Sequence, residues 1–120
     1  MIGINNVPQN EPADTIAAGI RLIVQKIKQV SPETQIYVQS LLPVTTYYNK
    51  FYEHTCHWKE IPEINQKIKT VTEKEQVQYI DLFSHFVDVE GQMQKQYTND
   101  GLHLLGKGYL LWKEIITPYL

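Results

Sequence analysis

Residues 97–112 read YTNDGLHLLGKGYLLW, with Asp100 and His103 three apart just ahead of an apolar helical run. A carboxylate that accepts the Nδ1 proton of an imidazole fixes its tautomer and frees Nε2 as a base. Three residues across a turn permit that contact. The same residues also make an ordinary helix start: Asp or Asn caps well, Gly101 permits a turn, and His103 is then a surface side chain. Spacing leaves both readings open, and the surrounding order of elements has to separate them.

Upstream, VQYIDLF (77–83) is rich in β-formers and reads as a strand, followed by a longer loop. Ahead of it Ile61, Ile64, Ile68 and Val71 recur at three and four, one face of a helix. TQIYVQSLLP carries a second strand over 36–41, closed by Pro43, and the polar, aromatic run VTTYYNKFYEHTCHW reads as a loop. Residues 13–30 place Ile16, Ile20, Ile23, Ile27 and Val30 on one stripe, with Lys26 and Lys28 near the end where cations suit the dipole. Ser31-Pro32 stops that helix. The N-terminal MIGINNVPQN reads as the tail of a strand breaking into a loop, as though Met1 were an internal residue of that strand. Residues 105–119, rich in Leu, Trp and Ile, form the last helix.

Strands alternating with helices of this length predict a parallel sheet with helices packed on its faces. Two full strands are few for such a sheet, which points to a further part upstream of Met1. In open α/β folds the working residues lie beyond the carboxyl ends of the strands. Asp100 and His103 sit in that place, and so does GINN (3–6), where a glycine permits a tight turn and an Asn amide can donate to an oxyanion.

The bulk properties exclude several function classes. The chain has 120 residues, 42% hydrophobic and 11% aromatic, a net charge of −2 and one cysteine, Cys56. That suits one domain with a packed core and leaves no internal disulfide. No basic stripe argues for nucleic acid, and no cationic amphipathic face argues for a membrane surface. No uninterrupted apolar run is long enough to span a bilayer. MIGINNVPQN lacks the charged and apolar regions of a signal peptide, so the compartment, cytoplasmic or exported, stays open.

Taken together, GINN, YVQSLLPV (37–44), YIDLF (79–83) and DGLHLLGKGYLLW (100–112) resemble, in order and spacing, the C-terminal half of an SGNH (GDSL-type) hydrolase. The resemblance covers essentially the whole chain. It implies a three-layer α/β/α, flavodoxin-like fold with a five-stranded parallel sheet, of which residues 1–120 are a single partial domain. It also implies ester hydrolysis through a Ser-His-Asp triad, with no cofactor and no metal. Carried over residue by residue, His103 is the general base, Asp100 its orienting carboxylate and Asn5 a side-chain donor to the oxyanion, with Gly3 shaping that loop. Asn6 stands where the family usually has Asp.

One departure is large. The family's nucleophile lies in a Gly-Asp-Ser motif, and a second oxyanion donor is a glycine from another loop; neither motif occurs here. Ser31, Ser40 and Ser84 lack the strained-turn context of a nucleophile. Two expectations follow. Either an upstream part or a separate polypeptide brings the serine, or the chain is an inactive remnant that binds or oligomerises through its open sheet edge, as a homo-oligomer, a domain-swapped dimer or a complementary fragment. The expected substrates are small esters, acetyl groups on carbohydrate among them. Tyr47, Tyr48 and Asn49, on the loop after a strand, are candidates to line the substrate site. His54, Cys56 and His57 lack a second ligand pair at zinc-like spacing, and His85, flanked by aromatics, reads as a packing residue rather than a competing base.

Overall fold

The computed structural model describes residues 2–120. Met1, expected inside a strand, lies outside the described residues. Ile2 has no regular structure, and a 3-10 turn follows over Ile4–Gln9 in place of the expected strand tail. Gly3 explains the break: its φ of +105° ends any extended run. A Cβ at Gly3 would also come within 3.2 Å of a Leu41 methyl.

Helix α1 (Ala13–Val30) leads to strand β1 (Tyr37–Gln39), then to α2 (Tyr52–Thr55) and α3 (Ile61–Lys74). Strand β2 (Gln78–Ile80) runs parallel to β1, pairing Tyr37 with Gln78, Val38 with Tyr79 and Gln39 with Ile80. Short α4 (Phe83–Phe86), a 3-10 turn at Lys95–Tyr97 and α5 (Gly106–Ile116) complete the order, with a last 3-10 turn at Thr117–Tyr119. Both strands are shorter than their β-rich runs. Beyond Gln39 the chain is held by other bonds: the Asn65 side chain accepts from Leu41 N at 2.7 Å and donates to Leu41 O at 3.0 Å. Beyond β2 the buried Ser40 hydroxyl accepts from Leu82 N and Phe83 N, 2.9 Å each, and turns YIDLF into α4.

Side chains alternate across the sheet with the period of two that extended backbone imposes. Val38 and Tyr79 pack on a core of Ile16, Ile20, Val24, Ile61, Ile64 and Ile68 from α1 and α3. On the opposite face, Tyr37 and Ile80 meet Leu111, Trp112 and Ile115 of α5, together with Leu82, Phe86 and Met93. This is a three-layer α/β/α arrangement. Trp112 Nε1 donates to Gln39 Oε1 at 3.0 Å and ties α5 to β1.

The α3 stripe is buried as its spacing predicts. The α1 stripe departs from expectation in its second half. Val24 is buried there, whereas Ile23 and Val30 are exposed. Ile23 and Ile27 instead face a cleft shared with Ile2, Ile20, Ile36 and Val38, along the edge of β1 that has no partner strand among the described residues. No described helix is long and apolar enough to cross a membrane.

Candidate active site

The turn that carries Asp100 and His103 is closed by an isolated antiparallel bridge between Thr98 and Leu104. Inside it, the hydroxyl of the buried Thr98 accepts from Gly101 N at 3.0 Å. Gly101 has φ +92° and lies against the loop that follows β1, where its carbonyl accepts from Thr45 N at 2.9 Å. No other residue fits, because a Cβ there would sit 2.1 Å from Thr45 O. Tyr48 adds a second tie, its hydroxyl donating to Thr98 O at 3.1 Å.

Within this frame both carboxylate oxygens of Asp100 are engaged. Oδ1 accepts from the backbone N–H groups of Leu102 and His103, 2.8 Å each, and Oδ2 meets His103 Nδ1 at 2.7 Å. Partial burial alone would push the Asp100 carboxyl up. The two N–H bonds and the imidazole outweigh it and hold the group at about 2, against an ordinary 3.8. Asp100 is thus ionised at neutral pH and holds the Nδ1 side of the ring, which leaves Nε2 outward.

His103 and Asn5 line one cleft of about 270 Å³, with Leu42, Pro43 and Val44 from the end of β1 and with Leu102, Leu104, Tyr109 and Trp112. The fold therefore brings together the expected base and the expected oxyanion donor, from opposite ends of the chain. Gly3 does not line this cleft; it sets the direction of the loop, and its carbonyl accepts from Asn6 N at 3.0 Å. Asn6, standing where the family's Asp is usual, donates through Nδ2 to Glu11 Oε2 at 3.2 Å.

Residues 1–111 match the GDSL-like lipase/acylhydrolase family. The chain belongs to that family. Over 109 residues it is 32% identical to the platelet-activating factor acetylhydrolase IB subunit alpha2 of rat and of human, a match that covers 90% of this chain and 44% of theirs. It superposes with a TM-score of 0.88, at 27% identity, on a Streptococcus pneumonia protein solved as a candidate platelet activating factor. That overlap takes in 99% of this chain and 56% of the other. A GDSL-like lipase of Bacteroides thetaiotaomicron superposes at 0.76 with 20% identity, over 90% of this chain and 52% of its own. The chain thus spans about half the length of the relatives it matches.

Among the remaining candidates in this GDSL-type chain, Tyr47, Tyr48 and Asn49 do not line the His103 cleft. Tyr47 is exposed, with Lys95 Nζ 3.7 Å above its ring. Tyr48 braces the Asp100 turn, and Asn49 turns the loop through a left-handed φ of +52°. Ser40 is fully buried and its hydroxyl is committed to two backbone donors. His57 Nδ1 meets Glu60 Oε1 at 2.9 Å, and no group of three or more His, Cys, Asp or Glu side chains converges among the described residues. His85 is exposed on α4 rather than a packing residue, and its carbonyl accepts from Gln94 Nε2 at 3.3 Å.

The sequence reading missed Phe51. Its ring packs against the His103 imidazole, centroids 5.1 Å apart and planes at 75°. Its backbone is left-handed, φ +49° and ψ +44°, a conformation that disfavours a bulky residue by about 1–2 kcal/mol. A phenylalanine in an aromatic loop carries no sequence signal for either property.

Proposed function

We propose that this chain carries the base and one oxyanion donor of a serine ester hydrolase whose nucleophile comes from outside these 120 residues. The observation that carries the reading is the Asp100 carboxylate, anchored by two backbone N–H groups while its second oxygen holds His103 Nδ1. In the proposed reaction His103 Nε2 takes the proton of a serine hydroxyl as that oxygen attacks an ester carbonyl. The carbonyl electrons move onto oxygen, where the Asn5 amide donates to the developing charge. Collapse expels the alcohol, protonated by His103, and water then releases the acid by the same two steps. A serine, an imidazole and an oxyanion hole suffice, so the reading needs no cofactor or metal.

The substrate class is a small ester with a short acyl group, acetyl esters of sugars included. The similar rat and human proteins are named as acetylhydrolases, which supports the short acyl group. The missing nucleophile predicts that the chain is inactive alone. The free edge of β1 and the apolar cleft beside it suit a strand of the nucleophile-bearing part, from the same polypeptide or a separate one.

The test starts with the genomic sequence in frame ahead of Met1. The expected result is a Gly-Asp-Ser motif some tens of codons upstream. The protein containing it should hydrolyse p-nitrophenyl acetate, and His103→Ala should lower its kcat by about 10³-fold or more. Activity that survives the substitution would overturn the assignment of the base.

The same open edge favours a second reading, a non-catalytic module that pairs with a second copy of itself. Sedimentation of the purified chain separates the two. A folded monomer across the micromolar range counts against self-pairing, and a dimer of a chain with no upstream Gly-Asp-Ser counts for it.

A further inference from the structure

His103 is poorly enclosed for a group that must aim one nitrogen. Its side chain is 64% exposed. Asp100 Oδ2 meets its Nδ1, and the ring of Phe51 packs against the imidazole. The hydrogen bond sets the tautomer and one point of the ring. That single bond does not fix the plane of an exposed ring: the imidazole can turn about its side-chain torsions, loosening the bond and swinging Nε2 off any fixed direction. A perpendicular aromatic neighbour opposes that turning, because the ring quadrupole favours the edge-to-face geometry.

The backbone beneath Phe51 points the same way. Phe51 is 47% exposed, so it fills no core. It nevertheless stands in a left-handed conformation that other groups enforce: its carbonyl accepts from His54 N and Thr55 N, 2.9 Å each, at the start of α2. Thr55 is buried, and its hydroxyl donates to Lys50 O at 3.3 Å. Its methyl also lies 3.4 Å from where a Cβ on Gly101 would be. The turn that presents Phe51 and the turn that presents His103 are therefore packed on each other. Backbone strain kept beneath an exposed side chain at such a site motivates a functional hypothesis.

We propose that Phe51 is a positioning residue that fixes the plane of the His103 imidazole and so the direction of Nε2. The proposal rests on His103 acting as the base, but its test does not require turnover. The full chain, labelled with ¹⁵N, is observed by NMR at the His103 ring, reading the Nδ1–H resonance, its exchange with water and the ring-current displacement of the carbon-bound ring protons. Phe51→Gly and Phe51→Asn both remove the ring and both accept a left-handed φ. Phe51→Tyr keeps it.

In the two ringless variants the ring-current displacement is expected to vanish, and Nδ1–H exchange to rise about 2- to 10-fold, the range an edge-to-face pair supplies. The backbone amides of Thr45 and Gly101 should stay in place, and Phe51→Tyr should restore both ring signals. Unchanged Nδ1–H exchange in Phe51→Gly and Phe51→Asn would overturn the proposal, as would a rise in exchange that Phe51→Tyr shares. A failure of ester hydrolysis alone would bear on the reading of the enzyme and leave these signals unaffected.

Discussion

Replacing Gly101 by alanine should unfold the site before it disturbs the chemistry. The methyl group would be placed 2.1 Å from Thr45 O, a backbone atom that cannot move aside as a side chain end can. Thr45 is 4% exposed and sits on the stretch leaving β1. The residue at 101 can escape only by abandoning φ +92°, which undoes the turn, or by withdrawing from Thr45, which breaks the 2.9 Å bond between Thr45 N and Gly101 O. Backbone strain of this kind is of order 1–3 kcal/mol, and an orphaned buried N–H adds about as much. A loss of about 3 kcal/mol is expected, lowering Tm by roughly 10 °C in a domain this size. Circular dichroism melts measure it. Gly106→Ala is the internal control: nothing lies within 4 Å of the added Cβ, and the residue opens α5. That change should leave Tm level or raise it, since alanine is favoured over glycine in a helix by about 0.5–1 kcal/mol. A Gly101→Ala protein melting within about 2 °C of the parent would refute the packing argument.

Two further outcomes follow from the same geometry. Asp100 has a folded-state pKa of about 2 against an ordinary 3.8, so its contribution to stability is complete above about pH 4 and lost as pH falls towards 2. Asp100→Asn should flatten that limb of an acid titration followed by tryptophan fluorescence, and an unchanged limb would count against the assigned hydrogen bonds. Asn65 is 6% exposed and serves both backbone groups of the fully buried Leu41. Asn65→Ala should therefore cost about 2–4 kcal/mol in urea denaturation by leaving two buried groups unpaired, and a cost under about 0.5 kcal/mol would contradict it.

How much of this was legible in the sequence depends on the range of the interaction. The α3 helix and the strand order could be read because hydrophobic period is local, and the buried Ile61, Ile64, Ile68 and Val71 obey it. The second half of α1 misled because period alone does not say which face will be covered. Ile23 and Ile27 keep the spacing of a core stripe yet line an open cleft. The strands came out short because Asn65 and Ser40 take over the backbone bonds at their ends, from 24 and 42 residues away. Phe51 and Thr45 were invisible for the same reason: each matters through one contact with the 98–104 turn, and nothing near them in sequence announces it. Asp100, His103 and Asn5 stood out as candidates through position and spacing and more strongly through the family's motifs, and the fold places His103 and Asn5 on one cleft.

Asp100 starts no helix, since α5 begins at Gly106, but its turn geometry and the proposed base-orienting pairing do not compete. One carboxylate has two oxygens, and here they divide the work. Oδ1 satisfies the N–H groups of Leu102 and His103, which is what an Asp in a tight turn ordinarily does. Oδ2 is left to face Nδ1 of the same histidine whose backbone Oδ1 has just fixed. The turn therefore sets the backbone of His103 and the tautomer of its ring with one side chain, and Gly101 is what lets that turn seat against Thr45. The contact is local: Asp100 and His103 belong to one turn, so the backbone keeps the ring and its partner within reach of each other. An Asp-x-x-His spacing with glycine between is a compact way to hold an exposed imidazole, and the plane of the ring, which it leaves unfixed, is where Phe51 stands.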